Sequence, residues 1–184
     1  MSKAIEILVN EHKNILLVIE ELLNQCAKDE KAGTISADFY RSGIDFIRNY
    51  ADKFHHAKEE DILFVELNKD SVDMHCNPTQ QMLYEHDSGR QFVKDLEAGL
   101  NRNDLAGVLA GARGYSYLLK DHIYKEDNIL YPMADEALPD KIKDEILVKF
   151  EKIGKEYAAA NKKYEIFLSN LNKSPHHGFT SVVS

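Results

Sequence analysis

The chain carries one ten-residue cassette twice: His55-His56-Ala57-Lys58-Glu59-Glu60-Asp61-Ile62-Leu63-Phe64 returns as His122-Ile123-Tyr124-Lys125-Glu126-Asp127-Asn128-Ile129-Leu130-Tyr131. Aligned on Lys-Glu and Ile-Leu, His55 pairs with His122 and Glu59 with Glu126. Each pair has the spacing His-x-x-x-Glu, which puts an imidazole and a carboxylate one turn apart on one face of a helix. A single pair would mean little: with 8 His and 16 Glu in 184 residues, chance supplies roughly 0.7 of them. The constraint comes from the duplication, its flanks, and a Glu-His step ahead of each copy, Glu11-His12 and Glu85-His86. A fold that suits this chain must place two such faces together and compensate their charge.

The apolar pattern supplies the helices. Ile5, Leu8, Ile15, Leu16, Ile19, Leu22, Leu23 and Cys26 form a stripe of three-to-four spacing that predicts a helix over 2–28, with His12 inside the stripe. Lys31-Ala32-Gly33-Thr34 ends it, and Ser36 is placed to cap a second helix reaching about residue 68. Residues 69–77 read as a loop, with Pro78 in the first turn of a third helix to about 100. The short turn Asn101-Arg102-Asn103-Asp104 implies an antiparallel return. The fourth helix spans 105–131, with Pro132 marking its end, and Pro139-Asp140 opens a fifth reaching about 171. The expected architecture is all-α: an up-down four-helix bundle over 1–134, an additional C-terminal helix over 135–172 packed on it, and a flexible tail over 173–184.

Helical phase selects among the histidines. At about 100° per residue, His55 and Glu59 lie about 40° apart at the border of the apolar arc formed by Ile44, Ala51, Ile62, Ile47 and Val65. His56 and Glu60 fall near 100° and 140° on that scale, and so turn away from it. Lys58 projects into the arc, as Lys125 does in the second copy; snorkelling is one account of it. Depth agrees with phase. At 1.5 Å per residue, His12 and His86 lie roughly 15 and 12 Å inside the starts of their helices. The His55/Glu59 and His122/Glu126 pairs lie roughly 16 and 11 Å from the ends of theirs. In an up-down bundle those levels coincide.

Four imidazoles and two carboxylates at one depth require a counter-charge, because an unpaired buried carboxylate costs several kcal/mol. Metal cations provide it. The candidate metal ligands are therefore His12, His55, Glu59, His86, His122 and Glu126, and no residue is assigned a catalytic role. Glu11 and Glu85 point about 100° away from their neighbouring His and read as solvated or as supports for a ligand. His75, His176 and His177 fit no level of the core. Tyr115, Tyr117, Tyr124 and Tyr131 read as packing residues.

The remaining composition excludes more than it assigns. A formal net charge of −8 argues against nucleic acid, which needs a basic patch. Cys26 and Cys76 form neither C-x-x-C nor a disulfide framework, which fits a reducing compartment. No apolar run approaches the length of a membrane span, and the N-terminus has no leader pattern, so a cytoplasmic protein is expected.

These residues together resemble the hemerythrin-like, His-His-Glu cation-binding family. The resemblance covers about residues 1–134 and rests on Glu11-His12, His55-x-x-x-Glu59 with Glu60, Glu85-His86 followed by Gly89-Arg90, and His122-x-x-x-Glu126 ending in Leu130-Tyr131-Pro132. It implies a four-helix bundle around two Fe ions, an oxo- or hydroxo-bridged di-iron centre. His12, His55, His86 and His122 would be terminal ligands, with Glu59 and Glu126 as bridges. Oxygen-carrying members have a fifth histidine one turn before the third-helix ligand, where this chain has Met82. Their last helix uses His-x-x-x-x-Asp, where this chain has His122-x-x-x-Glu126. Those departures point away from reversible oxygen carriage.

Three functions follow as expectations. The first is binding of, or reaction with, O2, NO or peroxide, in sensing, scavenging or redox stress response. The second is iron storage, donation or repair of iron centres. The third is an interaction module with a structural metal, in which Tyr157, Ala158, Ile166 and Phe167 of the fifth helix would face a protein partner or a second copy.

Overall fold

The computed structural model describes residues 1–74 and 76–172; the expectations for His75, for the tail 173–184 and for His176 and His177 within it lie outside them. The described residues form five helices and no strand. Helix α1 (Lys3–Ala32) stops at Gly33, whose φ of 68° is a left-handed conformation that favours glycine, and its N–H caps the carbonyl of Asp29. Ser36 takes the N-cap position of the next helix as expected, but its side chain makes no capping hydrogen bond there. Its hydroxyl and N–H donate instead to the Asp29 carboxylate, at 2.8 Å each, fixing the hairpin between α1 and α2. Helix α2 occupies 37–67, α3 is Thr79–Asn101, α4 occupies 105–137 and α5 is Asp140–Asn172.

Contacts along the helices give the antiparallel order. Tyr50 and His55 of α2 meet Asn14 and Glu11 of α1. Arg48 and Asp52 of α2 meet Glu97 and Arg90 of α3. The start of α1 meets the end of α4 through Ser2 and Asp135, and its end meets Arg113 through Glu30. The α3–α4 hairpin is tight. Asp104 caps α4 by accepting from the Gly107 N–H at 3.1 Å, and Asn103 adopts a positive φ of 52° in the turn. Helix α5 runs back along α2, with Tyr164 against Phe46 and Tyr157 against Phe54. Of the four residues considered for partner contact, Tyr157 and Phe167 pack on the bundle, while Ala158 and Ile166 are exposed.

Helices α2 and α4 are not uniform, and their irregularity positions the site. In α2 the residues Ile47–His56 and Glu59–Leu63 form wide turns with i→i+5 hydrogen bonds, and in α4 Glu126–Leu130 does the same. The Phe64 N–H donates to the Glu59 carbonyl, and the Tyr131 N–H to the Glu126 carbonyl. The same residue of each cassette therefore sits at a π-turn, a distortion that recurs at functional sites. The sequence places the end of α4 at Pro132, but the helix continues to Ala137. Pro132 lacks its donor just where the wide turn returns to regular winding, so the helix survives the proline.

Two apolar clusters fill the bundle. One surrounds Leu8, Leu63, Leu67, Leu130 and Phe150; the other surrounds Ile15, Leu22, Phe46, Leu96 and Leu119. Burying each large side chain contributes about 1.5–3 kcal/mol. His12, between Leu8 and Ile15 on α1, marks the polar layer that separates them. Where α3 and α4 cross, a Cβ added at Gly111 would lie 2.6 Å from the Leu96 backbone nitrogen. Gly111→Ala is expected to destabilise the fold by about 1–3 kcal/mol through overpacking, measured by urea denaturation. A variant as stable as the wild type would show that the crossing does not depend on this glycine.

Candidate metal centre

The six side chains selected from the sequence meet in the polar layer, each 0–1% exposed. They form two imidazole pairs with two carboxylates between them. Glu126 Oε2 lies 3.3 Å from His12 Nε2 and 3.2 Å from His122 Nε2. Glu59 Oε2 lies 3.6 Å from both His55 Nε2 and His86 Nε2. His86 Nε2 and His122 Nε2 are 3.0 Å apart. Nitrogen and oxygen atoms of His12, His55, Glu59 and Glu126 all fall within 4.8 Å of one another. Each carboxylate thus reaches one imidazole of each pair.

The outward nitrogens explain the local sequence. His55 Nδ1 is held by Glu11 at 2.9 Å and His122 Nδ1 by Glu85 at 2.9 Å. His12 Nδ1 is held by Asp127 at 2.8 Å and His86 Nδ1 by Glu60 at 2.6 Å. An Nδ1–H donating to a carboxylate fixes the tautomer that leaves Nε2 as a lone-pair donor. The links run in a closed circuit: an acid on α1 holds a histidine on α2, α2 holds α3, α3 holds α4, and α4 holds α1. Under the cassette alignment Glu60 answers to Asp127 and Glu11 to Glu85, so the circuit repeats after two helices.

Lys58 and Lys125 find their purpose here. Lys58 Nζ bonds Glu11, and Lys125 Nζ bonds Glu85. Each cassette lysine therefore anchors the acid that orients the histidine of its own cassette. Lys58 is 1% exposed, and its ammonium sits 3.3 Å from the centre of the Phe54 ring. Glu11 and Glu85, read as solvated or supporting from the sequence, are buried supports. Glu60 and Asp127 in the same role were not foreseen.

His56 departs from expectation more strongly. Regular helical phase turns it away from the core, yet it is 4% exposed. The wide turns of Ile47–His56 carry more residues per turn, so both neighbours, His55 and His56, face inward. His56, His86 and His122 present nitrogens within 4.8 Å of one another. Even so, the His56 ring lies flat on His86, with centroids 3.8 Å apart and planes 12° apart. Lone pairs of stacked rings lie in parallel planes and do not converge on one ion. His56 Nδ1 is also 3.6 Å from Asp52 and makes no hydrogen bond, unlike the four held histidines.

One phenol breaks the symmetry on the opposite side. Tyr131 Oη donates to Glu59 Oε1 at 2.5 Å, and its ring stacks on His12 with centroids 5.5 Å apart. Its counterpart in the first cassette, Phe64, has no hydroxyl. Of the four tyrosines read as packing residues, Tyr131 is thus the one beside the donor cluster; Tyr117 and Tyr124 are exposed.

The donor set fits a cation pair. His55 Nε2, Glu59 Oε2 and both Glu126 oxygens are buried and make no hydrogen bond among the described residues. Without a cation, protons must balance the charge. Burial, then the charge of Glu126, pushes Glu59 well up. Burial opposes charge on His12, but Asp127 and Glu126 raise it to about 9. Burial likewise opposes charge on His122, and Glu126 and Glu85 outweigh it, raising it to about 10.

A four-helix bundle with a buried His4Glu2 cluster defines a metal-binding helical protein. The chain belongs to the hemerythrin HHE cation binding domain family, whose profile matches residues 3–134. No curated protein and no solved structure gives a significant match. No helix among the described residues is long and apolar enough to cross a membrane.

Two outcomes are expected. Glu11→Gln and Glu85→Gln should each lower metal affinity by about 10–100-fold with helix content retained, read by competitive chelator titration and circular dichroism. Unchanged affinity would sink the supporting role. Second, His12 and His122 have raised folded-state values, so their stabilisation of the metal-free chain is full below about pH 6.5 and is lost as pH rises through about 9 to 10. The thermal midpoint of the metal-free chain should fall across that upper window. A midpoint flat or rising there would contradict the charge assignment.

Proposed function

We propose that residues 1–134 hold a non-haem di-iron centre that binds or reacts with O2, NO or peroxide, with 135–172 as a helix covering the bundle. His12, His55, His86 and His122 would hold the irons together with the carboxylates of Glu59 and Glu126. The observation that carries this reading is the position of each carboxylate between imidazoles of different pairs. Imidazole and carboxylate donors suit Fe(II) and tolerate Fe(III), although such a set is not selective for iron by itself. When bound, an iron pair supplies the two-electron change that a small oxidising ligand requires.

The chain's own residues do the rest. Glu11, Glu60, Glu85 and Asp127 hold protons on the outward nitrogens and keep the inward ones free. The two apolar clusters exclude water from either side of the layer. Tyr131 holds its phenolic proton on Glu59 Oε1, at one end of the cluster only. Four imidazoles and two carboxylates would leave two metals with positions for an incoming ligand.

Anaerobic reconstitution should give two irons per chain. His55→Ala and Glu59→Ala should lose metal, while His56→Ala should retain both ions. One ion or none in the wild type would sink the di-iron reading; loss of metal in His56→Ala alone would mean the ligand assignment is wrong. Stopped-flow spectroscopy of the reduced iron protein mixed with O2 should show rapid oxidation. A reversible adduct stable for many minutes would restore oxygen carriage.

A further inference from the structure

The donor cluster has an internal two-fold relation that can be followed atom by atom. It exchanges His12 with His86, His55 with His122 and Glu59 with Glu126. Each carboxylate turns its Oε2 to the imidazoles that this relation assigns it. Glu126 Oε2 lies 3.3 and 3.2 Å from His12 and His122, and Glu59 Oε2 lies 3.6 Å from both His86 and His55. The aromatic residue that follows each wide turn obeys the same relation. Tyr131 stacks on His12, with centroids 5.5 Å apart and planes 9° apart; Phe64 stacks on His86, at 6.1 Å and 18°. Both rings are buried. Phe64 thus holds the place of Tyr131 without its hydroxyl.

That one oxygen decides what the carboxylates have to offer. Tyr131 Oη donates to Glu59 Oε1 at 2.5 Å and lies 3.4 Å from His12 Nε2. It therefore stands against an oxygen and a nitrogen that would otherwise face an approaching cation together. A hydrogen bond to a carboxylate oxygen also draws on its charge and fixes its orientation. The related oxygen, Glu126 Oε1, is buried and makes no hydrogen bond among the described residues, and Glu126 Oε2 is in the same state. Glu59 has only Oε2 unbonded. The uncommitted carboxylate oxygens are thus two on Glu126 and one on Glu59. Leaving a buried acceptor unmatched is costly, and a tyrosine in place of Phe64 would have relieved it at Glu126 Oε1.

We infer that Tyr131 is a positioning residue that makes the two metal positions of the centre unequal: its hydroxyl holds Glu59 to one donor oxygen, while Glu126 is left free to give two. This rests on the reading of the six side chains as ligands of two ions, and it adds that one of those ions has fewer protein ligands than the other.

The test uses the full chain loaded with cobalt(II), which suits imidazole and carboxylate donors and whose visible absorption weakens as its ligand number rises. Tyr131→Phe frees Glu59 Oε1. It should lower the absorbance of the two-cobalt chain and tighten the more weakly held cobalt several-fold against a competing chelator. Phe64→Tyr, which brings a hydroxyl to Glu126 Oε1, should raise the absorbance and loosen a cobalt. The exchange variant Tyr131→Phe/Phe64→Tyr should return both readings towards the wild type, because the number of free carboxylate oxygens is restored. A loss of packing would not be reversed in this way. Absorbance and affinity unchanged in Tyr131→Phe would overturn the inference, as would a folded exchange variant that behaves like Tyr131→Phe. If the buried Phe64 position does not take the hydroxyl, as judged by circular dichroism, the comparison of Tyr131→Phe with the wild type decides by itself. Uptake of a single cobalt by the wild type would defeat the two-ion reading and this inference with it. Two cobalts with a spectrum indifferent to Tyr131→Phe would defeat the inference alone.

Discussion

Everything in this bundle is arranged around the cost of keeping two carboxylates, Glu59 and Glu126, in a layer with no water. An unpaired buried charge is worth several kcal/mol against folding, comparable to the whole stability of a small domain. The chain answers with four imidazoles facing inward and four acids facing the imidazoles from behind. Three of those acids are held in turn by cations, Glu11 by Lys58, Glu85 by Lys125 and Glu60 by Arg90, while Asp127 lies partly exposed. The polar layer is thus a graded set of charges running from the centre of the bundle to its surface. The apolar clusters above and below it are ordinary helical packing.

Much of this was legible in the sequence because it is periodic. The duplicated cassette gave the helix faces, the apolar stripes gave the bundle, and the depth count brought His12, His55, His86 and His122 to one level. Phase placed His55 and Glu59 inward as the structure has them, but misplaced His56, which is buried, and Val65, which is 51% exposed after the wide turns of α2. His56 was turned outward by a rule of 100° per residue that α2 does not obey between Ile47 and His56. A π-turn has no composition of its own, so nothing in the one-dimensional pattern announces it. Pro132 is a related case: a proline ordinarily ends a helix, but the wide turn before this one accommodates the missing donor.

The supporting acids illustrate a second limit. Glu11, Glu60, Glu85 and Asp127 each sit beside a candidate ligand in the chain yet act on a ligand of another helix. A sequence reader can see that Glu11 points away from His12 but not that it points at His55. The repeated lysine was the available clue. A cation entering an apolar arc twice, at matching positions, calls for a buried anion within reach, and the acid of each Glu-His step is that anion.

The closed circuit of acid-to-histidine links has a consequence for assembly. None of its four links joins two residues of one helix. Each of α1 to α4 lends an acid to one neighbour and receives one from the other. Displacing any single helix therefore severs two links at once and leaves one imidazole unoriented and one carboxylate unpaired at separate places. The centre cannot be half built: its geometry is a property of the completed ring, and retention of bound metal becomes a gauge of whether that ring is closed.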